Sequence, residues 1–515
     1  MFRLRFHIAS RDSSEFFRTP ATLLFLILGG FGLFRLVYCG FVNLSPQEAY
    51  YWVWSLHPAL SYFDHPPMVA YSIAASKFFL GDTTLAIRIP AVLYGVGTSL
   101  LVFLLAHKIF NLQAGLVSAL LLNLILSFCL TFLFTTPDSP LLFCWTLSMF
   151  FLWKAVMEKK TGFWYLAGIA FGLAMLSKYA AVFLAISTLV WLLSHKGLRP
   201  VLKTKEPYLS LCLAMLVFSP VLIWNFQNHW ASFLFQSRDR APSLISFSPK
   251  EFFAFLFSQM GVMTPLVFLG FLAAVSKGVR RNFSEGRPEE KFLLAYSLPL
   301  LAFFTVVATQ DWVKINWLIP AYPPLLILMV GYYQMGLWRA PWVRRFYVST
   351  LWALVLIPFL LLHLLPFIPG VEIPGTLDTL SGWPEVSARV TKIKKDFVSQ
   401  GPVFVWAWNH KNAAELQFYL PNHEEVYAQN IVGEKALAYD FWFNPRSLAG
   451  KNAIFIWSDL DPLGQDRKDK IGKVFSSLQP LPSLEIYRGK KEVRKFHFYY
   501  CVNYKPFITS AGLAP

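Results

Sequence analysis

"SPQEAYYWVWSLHPALSYFDHPP", residues 45–67, is where a strongly apolar chain first turns polar. It follows an apolar run that ends near Phe41 and holds Glu48, Asp64, His57, His65, four prolines and a cluster of Tyr and Trp. The side of the membrane on which this stretch lies governs the reading of everything after it.

A chain of 515 residues that is 56% hydrophobic and only 15% charged reads as an α-helical polytopic membrane protein. A hydrocarbon core of about 30 Å takes roughly 17–25 apolar residues in a helix. Eleven segments fit that description: 20–42, 85–106, 112–130, 139–157, 163–177, 179–194, 208–224, 252–276, 292–308, 317–337 and 347–367. The net charge of +17 is not gathered on one soluble basic face, which excludes a nucleic-acid partner. Its cations instead cluster before the first segment and after the second, fourth, sixth, eighth and tenth, all on one side if the segments alternate. The positive-inside rule makes that side the cytoplasm, with the N-terminus inside and the tail outside. No small-residue cleavage site follows the first apolar run, so it reads as a span and not a signal peptide. The five cysteines show no disulfide or metal-ligand spacing.

The first outer loop, about 43–84, is predicted to hold two short helices over 46–57 and 67–80, whose Tyr50, Tyr51, Trp52 and Trp54 suit the membrane–water interface. Beyond Pro366 the pattern changes. Short β-prone runs at 402–408, 415–420, 453–458, 484–488 and 496–503 predict a soluble α/β or α+β domain over 370–515, after a transmembrane domain over 1–369.

With that topology, Glu48, Asp64, His65, Asp138, Lys178, His229, Arg238, Arg240 and Lys314 all fall in outer loops or at outer span ends. Each has an ordinary structural reading. "SPQE" matches a capping box, with Ser45 as N-cap, Pro46 first in the helix and Glu48 reaching back. Asp64 and Asp138 stand where N-caps would stand. Lys178 could snorkel from a helix end. His229 could be an interfacial side chain, Arg238 and Arg240 a solvated pair, and Lys314 an anchor. As a group, carboxylates that can take a proton or a divalent cation, beside cations that can hold phosphate, point to an outward-facing cavity for a lipid-linked phosphosugar.

Together "QEAYYWVWSLHPALSYFDHPPMVA", "TTPDSPLLF", "GLAMLSKYAAV", "WNFQNHW" and "INWLIPAYPP" resemble the GT-C membrane glycosyltransferases of family 39 over about residues 20–340. That family includes the protein O-mannosyltransferases and the bacterial aminoarabinose and galacturonic acid transferases of lipid A and core. The resemblance implies a GT-C fold with two periplasmic juxtamembrane helices and a periplasmic C-terminal domain, in a bacterial inner membrane. It also implies transfer of a sugar from a polyprenyl-phosphate donor to a glycolipid or protein acceptor, with inversion.

The family's Asp-Glu pair aligns with Gln47-Glu48. Glutamine cannot accept a proton, so three accounts stay open: Glu48 is the base, Asp64 is the base, or the acceptor is a phosphate already ionised. By carry-over Asp64 is a base or metal ligand, His65 a donor-phosphate contact and Lys178 a lysine near that phosphate. Tyr179, Asp138, Arg238 and Lys314 are counted with the substrate contacts. His229 resembles a histidine that joins the acidic residue at a divalent metal in some relatives. Competing readings are a transporter or flippase for a lipid-linked sugar, and an inactive relative that only binds polyprenyl phosphate.

Overall fold

The computed structural model describes residues 19–239, 247–284, 287–336, 341–364, 378–442, 444–488 and 490–506. Among the described residues, five helices are each long and apolar enough to cross a membrane: α1 (Pro20–Cys39), α4 (Thr84–Ile109), α7 (Asp138–Val156), α10 (Glu206–Gln227) and the run Pro288–Ala308, in which α13 (Pro288–Ala295) is followed by α14 (Leu298–Ala308). Between them lie the loop helices α2 (Pro46–Leu56) and α3 (Met68–Leu80), then α5 (Leu112–Leu124), α6 (Leu126–Leu133), α8 (Phe163–Ser177), α9 (Phe183–Ser194), α11 (Pro249–Met263) and α12 (Pro265–Ser284). The helical part closes with α15 (Tyr322–Gln334) and α16 (Pro341–Leu364).

Two of the eleven predicted spans are broken. Segment 112–130 is α5 and α6, bent by 71° where Ile125 turns extended. Segment 252–276 is α11 and α12, bent by 107°. Pro265 has no N–H to donate and disfavours the α region at its predecessor, and the break falls at Thr264, which sits at φ +65°, ψ 143°. Segments 163–177 and 179–194 hold shorter apolar helices, as does 347–367 over Val348–Leu364, its last three residues lying outside the described ones, and 317–337 holds Tyr322–Gln334.

The predicted capping box is present. Ser45 Oγ accepts from the Glu48 N–H (3.3 Å), and the Glu48 carboxylate accepts from the Ser45 N–H (3.1 Å). Helix α8 sits close on α10 because Gly168 and Gly172 face it. A Cβ at Gly168 would stand 2.3 Å from the Ser210 carbonyl oxygen, an approach open only to glycine. Helix α7 has 19 residues, about 28 Å at 1.5 Å per residue, so its ends lie one hydrocarbon thickness apart. At its far end Lys108 and Lys160 both pair with Glu158 (2.6 and 2.8 Å), which gathers cations that follow the second and fourth apolar segments.

The C-terminal part holds α17 (Trp383–Asp396), α18 (His410–Tyr419) and α19 (Gln465–Gly472) around a five-stranded mixed sheet. The strands are β1 (Val403–Ala407), β2 (Val426–Tyr427), β3 (Asn452–Ser458), β4 (Phe475–Arg488) and β5 (Lys491–Tyr504), in the order β2-β1-β3-β5-β4. β1 runs parallel to β2 and β3, while β5 runs antiparallel to β3 and β4. Four of the five predicted β-prone runs fall in strands. The fifth, 415–420, is helical: the Asn409 side chain caps α18, and the helix is buried on all sides from Ala413 to Phe418, so no alternation marks it from a strand. The expected boundary at 369/370 lies outside the described residues.

One hydrophobic core joins this domain to the first loop. Tyr50, Trp52 and Trp54 of α2 are completely buried against Leu416 and Phe418 of α18 and others of the sheet domain. Their expected place at the membrane–water interface is therefore corrected: the α2 aromatics are an interdomain core. Trp52 still finds a partner for its indole N–H, Asp82 Oδ1 at 2.6 Å.

Candidate active site

Above the helical bundle lies a cavity of about 360 Å³ whose wall comes from both parts of the chain. The helical part supplies Gln47, Tyr50, Asp64, His65, Asp138 and Lys178, together with Lys314, Asn316 and Trp317 from the loop before α15. The C-terminal domain supplies His410, Lys411 and Leu437.

Asp64 does not cap a helix. Helix α3 begins at Met68 behind Pro67, and no side chain caps it. Pro67, already at helical angles (φ −83°, ψ −7°), leads into α3, and Asp64 is left in the loop before it, 4% exposed on the cavity wall. Tyr50 donates its O–H to Asp64 Oδ1 (3.1 Å) and accepts the Ala438 N–H (3.1 Å). Burial, and then the charge of Asp64, push the Tyr50 phenol well above its ordinary range, so it remains a donor. Gln236 Nε2 donates to the Asp64 carbonyl oxygen (2.8 Å) and ties down the loop.

Asp138 is the first residue of α7, preceded by Pro137, and it also caps nothing. Its carboxylate accepts from Lys178 Nζ (2.7 Å) and from Asn316 Nδ2 (2.6 Å). Lys178 stands where α8 ends. Its backbone is extended (φ −162°, ψ 140°) before a single 3₁₀ turn, Tyr179–Val182, and this break turns the side chain inward to 9% exposure. A snorkelling role is thereby corrected to a buried ion pair.

Gln47 and Glu48 are neighbours on α2, about 100° apart around the helix. Gln47 lines the cavity, whereas Glu48 is buried away from it. Glu48 takes Arg88 Nε (3.0 Å) and Nη2 (2.9 Å), the Ser45 N–H and the Thr135 N–H (3.2 Å). All its lone pairs are engaged in holding α2, α4 and the start of α7 together.

His65 lines the cavity with its ring 6.4 Å from that of Tyr51. Tyr179 is outside the cavity wall, sharing a hydrogen bond with Ser232 Oγ (2.7 Å) and packing against Phe233. His229 is exposed at φ +52° and also outside the wall. The Arg238 side chain and Arg240 lie outside the described residues.

The donors at hand do not fit a resident divalent metal. Asp138 is occupied by two strong donors, His229 stands apart from Asp64, and among the described residues no three His, Cys, Asp or Glu side chains converge.

Sequence reasoning missed Tyr50, Asn316, His410 and Lys411. Asn316 lies in the quoted motif "INWLIPAYPP", yet nothing local marks it as a partner of Asp138. His410 and Lys411 carry no signal at all, because they reach the cavity only through domain packing. Burial pushes the His410 imidazole down to about 3, with Lys411 adding to the shift, so it stays neutral. Burial also lowers the Lys411 ammonium, opposed by the charge of Asp64.

Residues 64–224 match the family model described as dolichyl-phosphate-mannose-protein mannosyltransferase. Over 310 residues the chain is 28% identical to the lipid A galacturonosyltransferase RgtD of Rhizobium johnstonii, covering 59% of this chain and 64% of that one. It is 24% identical over 320 residues to an uncharacterized protein of Aquifex aeolicus, covering 60% and 62%. The match thus spans less than two thirds of the length of either relative. Among solved structures, apo ArnT from Cupriavidus metallidurans superposes with a TM-score of 0.61 at 14% identity, covering 93% of this chain and 98% of that one. The same protein bound to undecaprenyl phosphate gives 0.59 at 13% identity, covering 95% and 98%. The apo oligosaccharyltransferase of Archaeoglobus fulgidus gives 0.54 at 12% identity, covering 84% and 69%. The family segment and the galacturonosyltransferase relative are thus likenesses of sequence over part of the chain, and the likeness to ArnT, over nearly all of it, is one of fold.

Proposed function

We propose that the chain transfers a sugar from a polyprenyl-phosphate donor to a lipid A-type glycolipid at the periplasmic face of the inner membrane. The observation that carries this reading is the convergence of Asp64 with the Asp138–Lys178 pair in one cavity. The galacturonosyltransferase relative supports the acceptor class, and the undecaprenyl-phosphate complex of ArnT supports the donor class.

In this mechanism Lys178, Lys314 and His65 hold the donor phosphate. Asn316 and Asp138 keep the Lys178 ammonium aimed into the cavity. The acceptor oxygen attacks the anomeric carbon from the face opposite the phosphate, and its proton passes to Asp64. The bond from the anomeric carbon to the phosphate oxygen breaks, its electron pair stays on the phosphate, and the configuration inverts. Stabilising the charge that grows on the leaving phosphate is the larger contribution, since a phosphate leaves readily without protonation. Tyr50 fixes the rotamer of the Asp64 carboxylate. Glu48 supports the scaffold and leaves the chemistry to Asp64.

Purified chain in nanodiscs, given a polyprenyl-phosphate sugar and a lipid A precursor, should release free polyprenyl phosphate only when both are present. Movement of intact donor across a vesicle bilayer would instead establish a flippase. Donor binding with no release, on which Gln47 at the cavity wall bears, would establish an inactive relative.

A further inference from the structure

We propose that Lys411 is a specificity-determining contact for an anionic oxygen group, carboxylate or phosphate, that is distinct from the donor's own phosphate. The proposal rests on the transferase reading above.

Three lysines line the cavity, and their situations differ. Lys178 is matched by Asp138 at 2.7 Å. Lys314 is exposed on a loop of the helical part. Lys411 comes from the C-terminal domain, is partly buried, and forms no ion pair among the described residues. Its position is held: its N–H donates to Asn409 Oδ1 (2.8 Å), and the neighbouring His410 ring packs edge-on to Tyr50 at 4.8 Å. The imidazole beside it is neutral, so it adds no second charge there.

An ammonium partly withdrawn from water, with no direct ion pair among the described residues, is costly. The fold accepts that cost on the wall of a substrate cavity, where an incoming anion would offset it. The charge of Asp64 acts on Lys411 without an ion pair between them. A lysine that served only to balance Asp64 would affect every substrate alike. A lysine that reads an anion would affect only substrates carrying one. Two sources fit this chemistry: a carboxylate on the transferred sugar, or a phosphate on the acceptor.

Full-length chain in nanodiscs separates them. In one arm, polyprenyl-phosphate galacturonic acid is compared with its galactose counterpart. In the other, a bisphosphorylated lipid A precursor is compared with its dephosphorylated form. Wild type should prefer the anionic member in one arm. Lys411→Met should reduce that preference by about 30-fold through KM, as for a truncated buried charge contact, while kcat for the neutral member holds and Lys411→Arg restores most of the preference. The arm in which the preference falls names the source. Equal losses for anionic and neutral members in both arms would overturn the inference alone, as would a wild type with no preference in either arm, a result that needs no variant. A wild type that cleaves no donor would overturn the transferase reading and this inference with it. Lys411→Gln carries the comparison if the methionine variant does not keep the wild-type melting temperature.

Discussion

Arg88 grips Glu48 with two nitrogens, Nε at 3.0 Å from Oε1 and Nη2 at 2.9 Å from Oε2, and neither side chain touches solvent. The remaining N–H donors of Arg88 reach the carbonyl oxygens of Cys39, Val42 and Asn43. A carboxylate so enclosed is a strut between α1, α2 and α4. Removing one partner of such a pair leaves an uncompensated buried charge, which costs about 3–5 kcal/mol. Glu48→Ala should therefore lower the melting temperature sharply, with activity lost in proportion to folded protein. A Glu48→Gln variant with the wild-type melting temperature and turnover reduced more than about 100-fold would return Glu48 to the chemistry.

Asp64→Asn keeps the shape of the side chain and removes its proton affinity. Turnover should fall by about 10²–10⁴-fold with donor KM little changed, as expected for loss of a general base. A modest effect with a phosphorylated acceptor, beside a large one with a hydroxyl acceptor, would show that the acceptor arrives already ionised.

Lys178→Ala should cut turnover by about 10²–10³-fold, the scale for losing one charge stabiliser at a leaving oxygen. Asp138 is paired with Lys178, and on the proposed roles it acts through that lysine, so the double variant Lys178→Ala/Asp138→Asn should be little worse than Lys178→Ala alone. Additive losses in that cycle would assign Asp138 a separate contact with substrate.

Gln47 shares the cavity with Asp64 and already faces it, so Gln47→Asp adds a second carboxylate without new packing. Activity should hold or rise, and the pH–rate profile should gain a second acidic limb. Complete loss of activity in a well-folded variant would show that the position tolerates no charge beside Asp64.

Two groups of α18 titrate in opposite directions. Burial pushes the Glu415 carboxyl well above its ordinary 4.5, with Glu48 adding to the rise, and among the described residues neither of its oxygens has a hydrogen-bond partner. Its contribution to stability is complete below about pH 4.5 and lost as pH rises toward the folded value. His410, pushed from 6.5 down to about 3, contributes fully above pH 6.5, and its share is lost as pH falls toward 3. In melting temperatures measured against pH, Glu415→Gln should flatten the decline on the alkaline side and His410→Asn the decline on the acidic side. Slopes identical to wild type would refute both assignments.

Much of the helical part was legible because its signals are local. Apolar length marks a helix, a proline sets a break or a start, and Ser45-Pro46-Gln47-Glu48 writes out its own cap. Local signals misled where a side chain had a distant partner. Asp64 and Asp138 look like caps, yet one meets Tyr50 and the other Lys178 and Asn316. Tyr50, Trp52 and Trp54 look interfacial, yet they are covered by a domain that begins more than 300 residues later.

The sequence by itself determined that this chain is a membrane protein of many apolar helices with a mixed α and β tail, and it named most of the acids and cations of the cavity. Periodicity and composition report on burial one segment at a time. Only the tertiary structure decided which carboxylate braces the scaffold and which faces the cavity, and that the tail contributes His410 and Lys411. Those outcomes depend on the packing of segments far apart in sequence, where a turn of about 100° on one helix separates Gln47 from Glu48.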